Sequence, residues 1–181
     1  MKLIKNNLLL YKPELLIYCS SRNEENTESD IGEMGKRLAD EILDYIRDFC
    51  PGSALGRVSF IGYSLGGLIA RASLSHLETL HSKLHTFITL SSPHISFLYS
   101  SSSLIDAGMW ILKKLKNSES LLQLTMSDNA DLKETFVYKL SQAQELSLFK
   151  NVVFFGSDQD TYCPFDSATI QISDDISRDR G

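Results

Sequence analysis

The stretch Gly-Tyr-Ser-Leu-Gly at residues 62–66 leaves few folds open to this chain. It comes directly after the apolar run of residues 58–61 and directly before residues 65–76, whose apolar side chains recur at helical spacing. A chain that passes from a strand into a helix over so short a distance must turn sharply. The sequence therefore predicts a strand, a tight bend centred on Ser64 and a helix.

Glycines flank this bend on both sides. Because the backbone of such a turn is cramped, the neighbouring positions need almost no side chain. Gly62 and Gly66 are therefore expected to relieve the crowding. Gly67, one residue further on, is expected to let the helix start close to the sheet.

Short apolar runs alternate with helix-length segments along the whole chain. Four runs are expected to form strands: residues 15–19, 58–61, 85–90 and 151–155, the first of them covered on both faces. Helices are expected from the cap at Asp30 to residue 49, and at residues 65–76, 104–115 and 131–140. Strands separated by helices pair in parallel with right-handed crossovers. The sequence thus predicts an α/β fold with a mainly parallel sheet flanked by helices.

The chain has the size and composition of one globular domain. Its 181 residues are 43% hydrophobic and 23% charged, which is enough apolar material for a core. We expect a single domain at residues 1–172 and a disordered tail at residues 173–181, where Asp, Ser and Arg alternate. The net charge of -5 argues against a nucleic-acid partner, since phosphates attract clustered Lys and Arg.

Neither a metal site nor a membrane span is expected. The three cysteines are far apart and lack the Cys/His spacing of a zinc site, and no cofactor motif is present. No apolar stretch approaches the ~18 residues of a transmembrane helix. These features favour a cytoplasmic protein with reduced cysteines.

Ser64 is the candidate nucleophile. On a strand-to-helix bend its hydroxyl faces the space in front of the sheet, and the backbone N–H of Leu65 can serve as one donor of an oxyanion hole. A serine also needs a histidine base, oriented by an acid that follows a later strand. Asp158 and Asp160, just after the strand expected at residues 151–155, are both candidates for that acid.

The histidines do not complete this arrangement. All four of them, His76, His81, His85 and His94, precede the candidate acids, although in this fold the histidine follows the acid. His94 alone follows the end of a strand, at the edge where parallel sheets bind ligands. We expect it to fix a loop or line a pocket more than to act as the base.

Longer motifs support a family assignment. They are residues 62–67, 84–94, 120–125, 128–132 and 149–153, with Asp158, Asp160 and Pro164 following. In these motifs the chain resembles the lipase-like putative serine esterase domain family, found at the C-terminus of large eukaryotic proteins. The resemblance implies an α/β-hydrolase fold, Ser64 as nucleophile, Asp160 as acid and hydrolysis of carboxylic esters, including lipid esters.

Two parts of the family pattern have no counterpart. The family opens with a strand and a His-Gly loop that supplies the second oxyanion donor, whereas the first glycine here is Gly32. The family also ends with a histidine beyond the acid. We therefore expect a chain truncated at both ends and impaired as a catalyst. The alternative is a non-catalytic variant that binds a protein partner through an unpaired sheet edge, or a partner or lipid through the apolar residues 97–122.

Overall fold

The computed structural model describes residues 1–52, 54–96 and 118–171. In these residues three strands form one parallel sheet: β1 (Val58–Tyr63), β2 (Leu84–Leu90) and β3 (Asn151–Phe155). β2 lies in the centre and pairs with both of the others. Helices flank the sheet, so the predicted α/β class with a parallel sheet is confirmed.

Six helices accompany the sheet in the described part of the chain. They are α1 (Lys2–Tyr11), α2 (Ile31–Phe49), α3 (Leu65–Ser73), α4 (Glu119–Leu124), α5 (Phe136–Gln142) and α6 (Phe165–Thr169). Short 3-10 turns occur at Leu74–His76, Glu78–Lys83, Leu132–Glu134 and Glu145–Leu148. None of these helices combines the length and the apolar character that a bilayer crossing requires.

The helix predicted after Asp30 is confirmed. Asp30 caps α2, because its side chain accepts a hydrogen bond from the N–H of Glu33 at 2.9 Å. The predicted helix at residues 65–76 is also present, as α3 followed by a 3-10 turn. The helix expected at residues 104–115, most of the apolar stretch 97–122 and the tail 173–181 lie outside the described residues.

The strand expected at residues 15–19 is wrong. These residues pair with none of the described strands, and the side chains of Leu15 and Leu16 are exposed. A strand needs a neighbour for its backbone groups. This segment lies against α2 instead, where Tyr18 stacks on Tyr45 with ring centroids 4.3 Å apart and donates its hydroxyl to Glu41 at 2.7 Å.

Two apolar clusters form the core, one against the sheet and one between the helices. The first centres on three phenylalanines, Phe60 of β1, Phe87 of β2 and Phe149, whose rings lie 5.3 to 6.3 Å apart. The second joins α2 to α3 and to the helices α4 and α5: Ile31, Met34, Leu68, Ile69, Ala72, Leu124 and Val137. The second cluster therefore packs α3, the helix that follows Ser64, against α2.

Candidate active site

The three strands end level with one another, and this brings Ser64 to the same edge as the segments that follow β2 and β3. Tyr63 is paired with Leu90, and Leu90 with Phe155. The ladder continues one step further, because the N–H of Ser64 donates to the carbonyl of Leu90 at 2.9 Å. This is the carboxyl edge of the sheet, where open parallel sheets bind their ligands.

Ser64 has an unusual backbone. Its φ is 51° and its ψ is −129°, and it forms the N-cap of α3 directly after β1. For a residue with a Cβ such a conformation costs about 1–3 kcal/mol, so the surrounding structure must hold it in place. The residue is exposed, so its hydroxyl can meet a ligand at the carboxyl edge. Leu65 follows as the first residue of α3, where the backbone N–H has no intrahelical acceptor.

At the bend, neighbouring parts of the chain approach Gly62 and Gly67 too closely to leave room for a side chain. A Cβ on Gly62 would lie 2.5 Å from Cα of Gly67, and a Cβ on Gly67 would lie 2.2 Å from Oγ of Ser92. The expectation that Gly67 lets α3 start close to the sheet is thus confirmed. Gly66 differs, because a Cβ there would meet nothing within 4 Å. The prediction that Gly66 relieves crowding is therefore wrong, since this position faces open space at the start of α3.

Asp160 lies in the loop after β3 and is partly buried. Its Oδ1 accepts hydrogen bonds from the N–H of Tyr162 at 2.8 Å and of Cys163 at 3.1 Å, and the Ser91 side chain is a further hydrogen-bond partner. Burial raises the pKa of Asp160, but these hydrogen bonds outweigh it and hold the pKa below its ordinary value. The side chain is thus a carboxylate at neutral pH. Asp158 is exposed.

Cys163 shares this environment. Its thiol is buried, and burial together with the charge of Asp160 raises the pKa of Cys163 to about 12. A thiol with that pKa stays protonated at neutral pH, so it is not a nucleophile there.

His94 is completely buried, and both of its ring nitrogens have partners. Nδ1 lies 3.3 Å from Nη1 of Arg71, and Nε2 lies 2.8 Å from the hydroxyl of Thr89. Burial and the charge of Arg71 lower the pKa of His94 to about 3. The side chain is therefore neutral and already hydrogen-bonded, which leaves no nitrogen free to accept a proton from Ser64.

The other three histidines lie towards the opposite edge of the sheet. His76 and His81 belong to the 3-10 turns between α3 and β2, and His85 is the second residue of β2. His85 precedes Leu90 by five residues, or about 16 Å of strand. None of the four histidines of this chain is thus placed to take a proton from Ser64.

Sequence reasoning missed Ser91 and Arg71. Ser91 follows β2 with a φ of 49°, close to the φ of Ser64, and a serine gives no warning of such a backbone. Arg71 is a buried residue of α3 that donates to the carbonyls of His94 and Leu140. A charged side chain in the apolar pattern of α3 was the available signal for Arg71.

Within the described residues no three His, Cys, Asp or Glu side chains come together as a metal site would require. No solved structure matches the chain significantly. The family model described as Putative serine esterase (DUF676) matches residues 1–174. That match covers nearly the whole chain, so the protein belongs to this serine esterase family.

Proposed function

We propose that Ser64 is the nucleophile of a carboxylic ester hydrolase site at the carboxyl edge of the sheet. The observation that carries the proposal is the strained backbone of Ser64, with φ of 51°, at the junction of β1 and α3. Strain of this kind persists only where the structure imposes it, and an observed outlier supports a hypothesis of function.

The chemistry assigned to the site is acyl transfer. Oγ of Ser64 attacks the carbonyl carbon of the ester, and the hydroxyl proton leaves with the alcohol. Water then releases the acid and restores the serine. The N–H of Leu65 would donate to the oxyanion from the first turn of α3. Asp160, held as a carboxylate, would orient a base imidazole that none of the four histidines of this chain supplies.

The positions of the histidines determine the rate of ester hydrolysis that we expect. Because none of the four is placed to act as the base, we expect this polypeptide alone to turn over esters slowly. Loss of the histidine of a Ser-His-Asp site lowers turnover by about a million-fold. A second oxyanion donor corresponding to the His-Gly loop is also unassigned, because Gly32 lies in α2. Substrates would be small or lipid carboxylic esters. Because all three cysteines are free thiols, a reducing compartment such as the cytoplasm is proposed as the location.

A fluorophosphonate probe tests the proposal. The probe forms an Oγ–P bond with an activated serine and releases fluoride, while the hydroxyl proton passes to solvent or to a base. We expect slow labelling of the wild-type chain that is lost in Ser64→Ala. The matched control is Ser75→Ala, since Ser75 is an exposed serine beyond the end of α3. Labelling that persists in Ser64→Ala, or that is absent from the wild type, contradicts the proposal.

The exposed side chains of β3 favour a second candidate, a non-catalytic binding module. Val152, Val153 and Phe155 are 39%, 36% and 53% exposed, although a strand of this composition is ordinarily covered. β3 is also an edge strand of the described sheet. Absence of labelling together with specific protein binding that Val153→Lys abolishes would favour this candidate over the hydrolase.

A further inference from the structure

Ser91 occupies the position between the strand of Ser64 and the strand that leads to Asp160. It is the first residue after β2, the central strand, just as Ser64 is the first residue after β1. Its N–H donates to the carbonyl of Phe155 at 2.8 Å, so the ladder between β2 and β3 continues into Ser91. Ser91 is thus adjacent to Ser64 on one side and to the end of β3 on the other.

The segment that begins at Ser91 is joined to the stretch containing Asp160 at both of its ends. At one end is the bond from Ser91 to Phe155. At the other end the N–H of His94 donates to the carbonyl of Ser167 at 3.1 Å, and the N–H of Ile95 donates to the Ser167 hydroxyl at 3.3 Å. Asp160 falls between these two attachment points, so its loop is held against Ser91.

The backbone of Ser91 has a positive φ, as that of Ser64 does. Its φ is 49°, in the region that favours glycine, yet the residue carries a side chain. Hydrogen bonding from that side chain helps to hold the pKa of Asp160 below its ordinary value. The left-handed backbone and the hydroxyl contact therefore occur in the same residue.

We propose that Ser91 is a positioning residue of the Ser64 site, whose hydroxyl holds the Asp160 carboxylate at the carboxyl edge of the sheet. The inference rests on the proposed function of Ser64 and Asp160. Ser91 touches no reacting atom in this role. It acts by donating to the carboxylate, alongside the N–H groups of Tyr162 and Cys163.

Two substitutions separate this role from a purely structural one. Ser91→Gly removes the hydroxyl and suits a positive φ, so the backbone turn is retained. Ser91→Asn also tolerates a positive φ and supplies an N–H donor. The matched control is Ser92→Ala at the next residue, because the buried hydroxyl of Ser92 has no hydrogen-bond partner among the described residues.

The first readout is the carboxyl titration of Asp160, followed by carbon-13 NMR on the full chain and assigned with Asp160→Asn. We expect an upward shift of the midpoint in Ser91→Gly, recovery in Ser91→Asn and the wild-type midpoint in Ser92→Ala. An unchanged midpoint in Ser91→Gly overturns the proposal. So does an equal shift in Ser91→Gly and Ser91→Asn, which would show that the turn matters and the donor does not.

The second readout is the rate of phosphonate labelling of Ser64 as a function of pH in the presence of added imidazole, which supplies the base that none of the four histidines is placed to provide. Ser91→Gly should move the acid limb of this profile to higher pH along with the Asp160 midpoint. An acid limb that stays in place while the midpoint shifts would remove Ser91 from the Ser64 site. The titration needs no reactivity at Ser64. A wild-type chain that never labels therefore refutes the proposed function, and with it the part of Ser91 in that site. The titration midpoint of Asp160 still tests whether the Ser91 hydroxyl donates to its carboxylate.

Discussion

Nη1 of Arg71 lies 3.3 Å from Nδ1 of His94, and this contact fixes the tautomer of a buried imidazole. An arginine can only donate, so Nδ1 must be the acceptor. Nε2 then carries the hydrogen and donates it to Oγ1 of Thr89 at 2.8 Å. Because Arg71 belongs to α3, the contact ties the helix that begins at Ser64 to the segment that follows β2.

His94 should make the fold acid-sensitive. Its pKa is lowered to about 3 by burial and by the charge of Arg71, whereas in the unfolded chain it is ordinary. Below pH ~6.5 the unfolded chain binds a proton that the folded chain rejects, so stability is full above that pH and falls as the pH drops towards 3. We expect a loss of about 2 kcal/mol between pH 6.5 and pH 5, measured by urea unfolding.

Substitution of His94 should remove this slope. His94→Gln is expected to be less stable than the wild type at pH 7 and to lose less stability on acidification to pH 5. His76→Gln is the matched control, because His76 is exposed, and it should keep the wild-type slope. If His94→Gln retains the full slope, the neutral buried state assigned to His94 is incorrect.

Glu41 should hold the segment of residues 18–22 against α2. This buried carboxylate accepts hydrogen bonds from the hydroxyls of Tyr18 and Ser20 and from the N–H groups of Ser21 and Arg22. We expect Glu41→Gln to cost about 2 kcal/mol, as measured by urea unfolding, because hydrogen bonds to a charged acceptor are lost. Faster amide exchange at Ser21 and Arg22 should accompany that loss.

The effect of Glu41→Gln should depend on pH. Burial raises the pKa of Glu41, but the four hydrogen bonds outweigh it and hold the pKa below its ordinary value. The contribution is therefore present above pH ~4.3 and is lost as the pH falls through the lower folded pKa, so variant and wild type should converge in acid. Asp44→Asn, which alters a solvent-exposed ion pair with Arg22, should change stability much less than Glu41→Gln does.

The sequence predicts those elements whose local pattern agrees with their surroundings. The strand before Ser64 and the helix after Asp30 are of this kind, since apolar spacing and a capping residue suffice. Residues 15–19 have an equally good strand pattern but no partner among the described strands, and an apolar run carries no information about its neighbour. The backbone of Ser91 could not be predicted either, because nothing in the sequence Ser-Ser-Pro indicates a positive φ.

Gly66 and Gly67 offer a matched pair, since they are adjacent in α3 and differ in surroundings. At Gly67 a Cβ would lie 2.2 Å from Oγ of Ser92 and 2.9 Å from Cγ2 of Thr89, whereas at Gly66 the space is open. We expect Gly67→Ala to lower the free energy of unfolding by about 1–3 kcal/mol through overpacking. Gly66→Ala should raise it by about 0.5–1 kcal/mol through helix propensity.

A second substitution, at Ser92, tests whether the loss of stability in Gly67→Ala comes from contact with that side chain. Adding Ser92→Gly to Gly67→Ala removes the nearest two atoms and should recover part of the lost stability. Urea unfolding of the two single variants and the double variant measures this coupling. If Gly67→Ala stabilises the fold as much as Gly66→Ala does, the start of α3 lies further from β2 than the structure shows.

Ser64 should be a position where reactivity and stability oppose each other. The residue is exposed and has a φ of 51°, so its hydroxyl adds little to the core while its Cβ imposes strain. We expect Ser64→Gly to be more stable than Ser64→Ala by about 1 kcal/mol, because glycine relieves the strain and loses only part of that gain to its greater freedom when unfolded. Both variants should lose phosphonate labelling. Thermal and urea unfolding of the two variants measure the difference. An alanine variant as stable as the glycine variant would show that residue 64 is unstrained, and it would remove the observation on which the assignment of Ser64 as nucleophile rests.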